Sequence, residues 1–444
     1  MQTMHATQAM CAGHARKSWR ARVIPPNLLP QALESARAGN IIMSNAGAGF
    51  DDGLAKRNAV VLGLTQALGG GNNAVLIATG SLVGAMLAPS KVLATMPVAA
   101  YVLGLWIGTL PVGALARRYG RQVAFQVGTL FGVLTGILCF LGVVYGSFVL
   151  FCLGALVGGF YAAAMHGYRF AAADTASPAF RPKAISWVMA GGVASGVIGP
   201  QLIILTKDLW PPFLFAPTFI GQALLAVGAG LMLMVLRLPK PVAPQAGDAP
   251  KPVRPLKEIA RQPRFIAAVV CGVASFGTMN LVMTSAPLAM LDCNHSVNDA
   301  ALGLQWHVIA MYLPGFITGS LIARFGVDRI IMLGFILLIV SALVSMAGIT
   351  VWHFWIGLIL LGVGWSFSFI GATTMVTECH EPHERLIVQP LNDFLVFGTM
   401  TIVTLMSGAV LASAGWNAVN GLVFPVVLAA AALLVLFGSR RVRV

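Results

Sequence analysis

The sequence predicts an all-α membrane protein of twelve transmembrane helices arranged as two six-helix bundles, and three observations carry that expectation. Apolar residues make up 58% of the 444 positions and charged residues 9%, whereas soluble domains run near a quarter charged. A water-soluble fold has too little interior to hide such an excess. Cut at its charges and Pro/Gly clusters, the chain falls into apolar runs of about 20 residues, the length that crosses a hydrocarbon layer. The chain also reads as built twice. Gly113-Ala114-Leu115-Ala116-Arg117-Arg118-Tyr119-Gly120-Arg121 returns as Gly319-Ser320-Leu321-Ile322-Ala323-Arg324-Phe325-Gly326, at an offset of 206 positions. The spacing of Asp174, Pro178 and Arg181 returns in Glu378, Pro382 and Arg385, at an offset of 204.

The pattern Gly113-x-Leu-Ala-x-Arg-x-Gly-Arg resembles the loop signature between the second and third helices of the major facilitator superfamily, and duplication of the half-chain is that superfamily's architecture. The resemblance covers residues 58–437. It implies a secondary active transporter that moves a small organic solute by alternating access, without a cofactor. It departs at Arg117, where the family usually has an aspartate, and Ala323 fills the equivalent place in the second half.

The expected spans are 59–88, 92–115, 122–144, 147–169, 183–205 and 213–236 in the first half. In the second they are 264–290, 299–323, 328–349, 351–377, 387–413 and 417–437. Loop charge supports the partition, because Lys and Arg are retained on the cytoplasmic side. With both termini inside, all 28 basic residues except Lys91 and Lys207 fall in cytoplasmic segments. The net charge of +14 is then explained by topology and an anionic inner leaflet. The basic residues are spread over separate loops, so no nucleic-acid surface is expected. The organisation predicts a bacterial-type inner-membrane protein, a monomer whose partners are a small solute and the lipid bilayer.

In chain order, residues 1–57 read as a mobile basic leader without a signal peptide, and Met43 is a plausible true start. The domains proper are 58–236 and 264–437. The proline-rich basic linker 237–263 is expected to be extended and cytoplasmic, and 438–444 forms a basic tail. The first helix carries Gln66, Gly69-Gly70-Gly71 and Asn72-Asn73; its counterpart, the seventh, carries Asn280. An intramembrane asparagine either glues helices together or faces a water-filled cavity. In the loop after the second helix Gly113 and Gly120 allow a tight turn, and Arg117, Arg118 and Arg121 can meet helix carbonyls. The fourth helix gathers polar and aromatic residues toward Tyr161, His166, Tyr168 and Arg169. In the fifth, Gly191, Gly192, Gly196 and Gly199-Pro200 partly resemble the family's antiporter signature. The eighth carries Gln305-Trp306-His307 and Tyr312, the tenth Trp365, and the eleventh opens with Gln389-Pro390-Leu391-Asn392-Asp393.

In the superfamily, helices 1, 2, 4, 5, 7, 8, 10 and 11 line the path. The resemblance therefore makes Asn73, Tyr101, Trp106, Tyr161, Gln201, Asn280, Gln305, Tyr312, Trp365 and Asn392 candidates for the substrate cavity. Amides and aromatics with almost no fixed charge suit a neutral or amphipathic solute. Efflux of amphipathic compounds and uptake of a small aromatic nutrient such as a vitamin both fit. His166, His307 and Asp393 are the candidate proton carriers, since a coupling group must change its protonation between states. An uncoupled facilitator would need none. Gly113, Arg118, Gly120, Arg121, Gly319, Arg324 and Gly326 are expected to act as a conformational latch, together with Asp174, Pro178, Arg181, Glu378, Pro382 and Arg385. The pairs Asp174 with Arg181 and Glu378 with Arg385 are expected to join helix ends.

No nucleophile-elbow, Walker or zincin motif occurs, which argues against an enzyme. A channel would predict rings of like residues in an oligomer. The residue types in Glu378-Cys379-His380-Glu381-Pro382-His383-Glu384 suit zinc, but Pro382 interrupts a helix and the repeat in the first half has no ligands. No metal is expected. Cys11, Cys139, Cys152, Cys271, Cys293 and Cys379 show no disulfide spacing.

Overall fold

The computed structural model describes residues 52–174, 176–177, 180–238, 254–381 and 384–438, without the side chains of 174, 182, 385–387 and 390. Among the described residues all regular structure is helical, as chain in lipid requires: each helix satisfies its own backbone where no water can. The first half comprises α1 (Asp52–Leu87), α2 (Met96–Tyr119), α3 (Arg121–Val144), α4 (Phe148–Met165) with its short continuation α5 (Tyr168–Asp174), α6 (Arg181–Thr206) and α7 (Ala216–Met234). After α8 (Leu256–Ala260) come α9 (Pro263–Asp292), α10 (Val297–Tyr312), α11 (Gly315–Phe325), α12 (Val327–Met346), α13 (Val351–Thr377), α14 (Arg385–Gly421) and α15 (Val423–Phe437).

Ten stretches are long and apolar enough to cross a membrane, or eleven when α10 and α11, bent by 41° at their junction, are taken as one span. Twelve is therefore not the count this criterion returns. The difference lies in Leu391–Phe437, which enters it as one stretch of 47 residues. That is more than one crossing needs at about 1.5 Å of rise per residue, and its backbone leaves helical geometry at Gly415 (φ 76°, ψ −177°).

Two boundaries differ from expectation. The first helix begins at Asp52, ahead of 58, because Lys56 and Arg57 continue the helix rather than ending it. Likewise 254–263 is not extended: α8 forms there and buries Ile259, 1% exposed, against the second half. The expected mobile leader up to residue 51, the start at Met43, the proline-rich 239–253 and the tail from 439 lie outside the described residues.

The repeated motif folds the same way twice. Gly120 ends α2 at φ 90°, ψ 158°, and Gly326 ends α11 at φ 90°, ψ 150°. Both lie in the region that favours glycine, so the chain reverses into α3 and α12 with no intervening loop. Arg118 stands 5.2 Å over the Tyr119 ring and Arg324 5.2 Å over the Phe325 ring. Gly113 and Gly319 are not part of either turn; both lie inside helices, and a Cβ on Gly319 would meet nothing within 4 Å.

At this basic face each half ties its first helix to its last. In the first half Asn58 Nδ2 donates to the Arg237 carbonyl (2.7 Å), Arg237 N donates to Asn58 Oδ1 (3.2 Å), and an Arg57 guanidinium nitrogen donates to the Val235 carbonyl (2.8 Å). In the second half Arg264, 206 positions after Asn58, donates to the Gly438 carbonyl and pairs with Glu378 (2.5 Å) and Asp328 (3.6 Å). It thereby gathers the ends of α9, α12, α13 and α15.

Within the first half, α1 and α6 meet backbone to backbone: a Cβ on Gly191 would lie 2.1 Å from the Gly63 carbonyl oxygen. Such small residues let helices associate where lipid solvates apolar side chains as well as a partner would. Gly191→Val is expected to lower stability in detergent by about 1–3 kcal/mol, whereas Gly319→Ala is expected to be neutral. Thermal unfolding of the two purified variants checks this.

Candidate functional site

Two seams join the halves. Along one, α6 packs against α10: a Cβ on Gly192 would lie 2.7 Å from the Tyr312 ring and one on Gly196 2.9 Å from the Val308 side chain. At its far end Gln201 Nε2 donates to Gln305 Oε1 at 2.9 Å. Along the other seam, α2 packs against α14. Thr95 Oγ1 donates to the Thr404 carbonyl (3.2 Å) and accepts from Gly408 N (3.1 Å). Deeper along the same seam, Trp106 meets Phe394 with centroids 4.8 Å apart. The polar contacts of both seams thus lie at the face opposite the basic loops. Because the start of α14 lies level with the end of α2, the two repeated loops share one face.

Between the seams lies the space where charge collects. His166, Arg169 and Asp393 are exposed side chains, and they face other elements of the protein: His166 lies 5.7 Å from Phe397 on α14. Charged and polar side chains left exposed between packed helices line an internal, water-accessible space. His166 and Arg169 flank the break between α4 and α5, and Asp393 comes from α14 in the other half. Asn392 Nδ2 donates to Asp393 Oδ1 at 3.2 Å, and Tyr312 lies within electrostatic reach of Arg169 and of Tyr101.

Aromatic rings continue this lining across the halves. His166 lies 5.7 Å from Phe397, which lies 5.9 Å from Phe276. Phe276 meets Trp365 at 5.3 Å edge-on, and Trp365 stacks on Phe369 at 5.1 Å and 13°. The indole N–H groups of Trp106 and Trp365 are buried without a hydrogen-bond partner.

The other candidates go elsewhere. Asn280, wholly buried, donates to Thr404 Oγ1 and joins α9 to α14 inside the second bundle. His307 is wholly buried, its Nδ1 2.7 Å from the Leu358 carbonyl. That bond ties α10 to α13 and places the imidazole in the bundle interior, with its Nε2 buried and unpartnered. Tyr161 is wholly buried too, its ring beneath Gly132 and its hydroxyl against Gly69, inside the first bundle rather than at the cavity. Asn73 is half-buried and donates to Met165 Sδ at 3.3 Å, leaving Oδ1 unpartnered. Gln201 and Gln305 belong to the seam.

The described side chains of the expected latch make contacts of their own. Glu378 pairs with Arg264, because the start of α9 reaches it; the side chain of Arg385, its expected partner, lies outside the described residues. Arg181 Nε donates to the Ala173 carbonyl at 3.2 Å, while the Asp174 side chain, Pro178 and Pro382 also lie outside them. The stronger tie is one the spacing does not reveal. Arg254, in the linker, makes a bidentate pair with Glu384 at the start of α14, at 2.7 and 2.6 Å. The first half has its counterpart in Asp52, which accepts from Ser177 N (3.1 Å) and Oγ (2.9 Å). In the zinc-like stretch, Glu378 and Glu384 are thus held by arginines, and Cys379 is buried with Sγ 3.3 Å from the Met375 carbonyl; His383 lies outside the described residues.

Sequence reasoning missed Arg169, Phe276, Phe369, Phe394 and Phe397 as lining residues. Arg169 carried a signal, being a charge at the very end of an expected span, where it reads as a terminator. The phenylalanines carried none, since an aromatic in an apolar run has no contrast with its neighbours.

The Arg254 guanidinium holds the Glu384 carboxyl well below its ordinary value of 4.5, down to about 2. The pair therefore contributes fully above about pH 4.5, and the contribution is lost as pH falls from there to about 2. Glu384→Gln is expected to lower the thermal midpoint by a few degrees at pH 7, with the gap to wild type narrowing toward pH 3. Melting curves of both proteins across that range check it.

The model of the Major Facilitator Superfamily matches residues 61–311. The riboflavin transporter RfnT of Brucella anthropi is 47% identical over 377 residues, covering 85% of this chain and 94% of that one. The uncharacterized MFS-type transporter YdeG of Bacillus subtilis is 26% identical, covering 83% and 88%. Among solved structures, the xylose transporter XylE from E. coli superposes with a TM-score of 0.66 at 14% identity, covering 87% of this chain and 98% of that one. The duplicated turn, the two seams and the internal space between halves agree with these likenesses: the chain belongs to the major facilitator superfamily and is a multi-pass membrane transporter, not an enzyme.

Proposed function

We propose that the protein carries riboflavin, or a closely similar flavin, across a bacterial inner membrane as a monomer with twelve spans and both termini in the cytoplasm. The observation that carries the reading is the aromatic lining of the internal space. Rings from both halves, with the Arg169 guanidinium beside them, offer a planar heteroaromatic solute stacking surfaces and hydrogen bonds. A relative 47% identical is a riboflavin transporter, and the sequence-level expectation of a neutral or amphipathic solute includes such a vitamin. The orientation follows from the basic loops, which belong in the cytoplasm. On that orientation the polar contacts of the seams close the outer side, and the charged space belongs to an inward-facing state.

Halves that rock about a central site give alternating access. The Gln201–Gln305 bond and the Thr95 contacts would then break when the outer side opens. Coupling to protons, if transport is coupled, falls to His166 and Asp393, the two titratable candidates that line the space.

The test is uptake into proteoliposomes. Saturable riboflavin transport, competed by unlabelled riboflavin and not by xylose, is expected; its absence, with transport of unrelated amphipathic compounds instead, rejects the flavin reading. Accumulation that depends on an inward proton gradient and falls at least tenfold in both His166→Gln and Asp393→Asn supports coupling through these groups. Gradient-independent equilibration in wild type identifies a facilitator.

A further inference from the structure

Arg169 and Asp393 are the charges that enter the internal space from opposite halves. The Arg169 guanidinium stands 4.9 Å over the Phe170 ring, and its electrostatic neighbours are Asp393 and Tyr312. Among the described residues neither charge forms an ion pair within 4.0 Å, although His166, one turn before Arg169, lies 5.7 Å from Phe397, one turn after Asp393, and each charge feels the other. Opposite charges left unpaired between packed helices are costly unless water or a ligand completes them. The elements carrying the two residues have no freedom to ignore this space: α5 follows the helix break at His166, and Asp393 is fixed on α14 between Asn392, 6% exposed, and Phe394, which packs on Trp106.

A guanidinium is a planar fork of donors, and a carboxylate only accepts. The gap between them therefore fits a solute that presents acceptors beside donors. We propose that Arg169 and Asp393 are the specificity-determining pair of this carrier: Arg169 donates to the ring acceptors of a planar heteroaromatic solute, and Asp393 accepts from hydroxyls of a polyol chain attached beside them. This rests on the flavin reading above. Riboflavin has this layout, since its ribityl chain leaves the ring next to the N1 and C2 carbonyl acceptors. The stacking rings hold any flavin; the charged pair chooses among flavins. A phosphate at the end of the polyol brings a second anion toward Asp393 and is disfavoured, and a ring lacking the polyol leaves the carboxylate without its donors.

Equilibrium binding to the purified full-length protein, read by quenching of flavin fluorescence, tests the assignment with three ligands: riboflavin, its 5′-phosphate, and the methylated ring without the polyol. Wild type is expected to bind riboflavin at least tenfold more tightly than either of the others. Arg169→Lys, which keeps the charge and loses the fork, is expected to weaken riboflavin and the bare ring by the same factor, about tenfold. Asp393→Asn is expected to weaken riboflavin several-fold, leave the bare ring unchanged and improve the phosphate ester. A loss of structure would weaken all ligands in both variants, and gel-filtration profiles identify it; the wild-type ligand series then decides alone. Equal binding of riboflavin and its phosphate in wild type, or variants that shift all ligands alike while folded, overturns the assignment and leaves the flavin reading standing. No quenching by riboflavin in wild type removes the flavin reading and this inference with it.

Discussion

Apolar side chains cannot hold this protein together by being apolar, because lipid solvates a leucine as well as a neighbouring helix does. Association has to come from close approach and from polar contacts, and both depend on where side chains are missing. Gly63 and Gly191 let α1 and α6 touch through their backbones. One position further along, α6 turns Gly192 and Gly196 toward α10 of the other half, where Tyr312 and Val308 fill the recesses. A single glycine-rich helix is therefore both the inner brace of its own bundle and half of a seam between bundles. The glycines that resemble an antiporter signature in the sequence have a packing explanation here.

The architecture was legible because the duplication leaves the same letters in both halves. Gly120 and Gly326 are recognisable as one turn used twice, with φ 90° in both and ψ of 158° and 150°. Span boundaries were less legible. Lys56 and Arg57 read as the end of the apolar run, yet they continue a helix that protrudes into the basic face. The polar residues of the spans were the hardest to sort. Asn280, His307, Asp393 and His166 all look alike in sequence, each a polar group among apolar ones. What separates them is the partner: Thr404 and the Leu358 carbonyl each engage one polar atom of the first two within a bundle, whereas the other two face an internal space. Such partners lie far along the chain and leave no local trace.

The paired loops make a related point about spacing motifs. Glu378 and Arg385 recur with Asp174 and Arg181, which suggests that acid and base within one loop meet. The structure brings Arg264 to Glu378 and Arg254 to Glu384, both from the segment that opens the second half. A neighbouring helix start is already in place, and an arginine there reaches the carboxylate at no cost in loop order. The motif marks the location of the joint, and tertiary neighbours add partners that its spacing does not reveal.

The joint at the basic face was copied with the half-chain, but its chemistry was not. Where the first bundle ties its opening helix to its closing one through an amide, Asn58, the second uses a guanidinium, Arg264, surrounded by two carboxylates and a carbonyl. An amide joint is indifferent to ionic strength, and an ionic joint facing the aqueous phase is weakened by salt. The two bundles therefore differ in what the aqueous phase at this face can do to them. Counterions, anionic headgroups or a shift in surface charge can loosen the second bundle at its base more than the first, so a carrier whose helices repeat in near symmetry is asymmetric in its response to its surroundings.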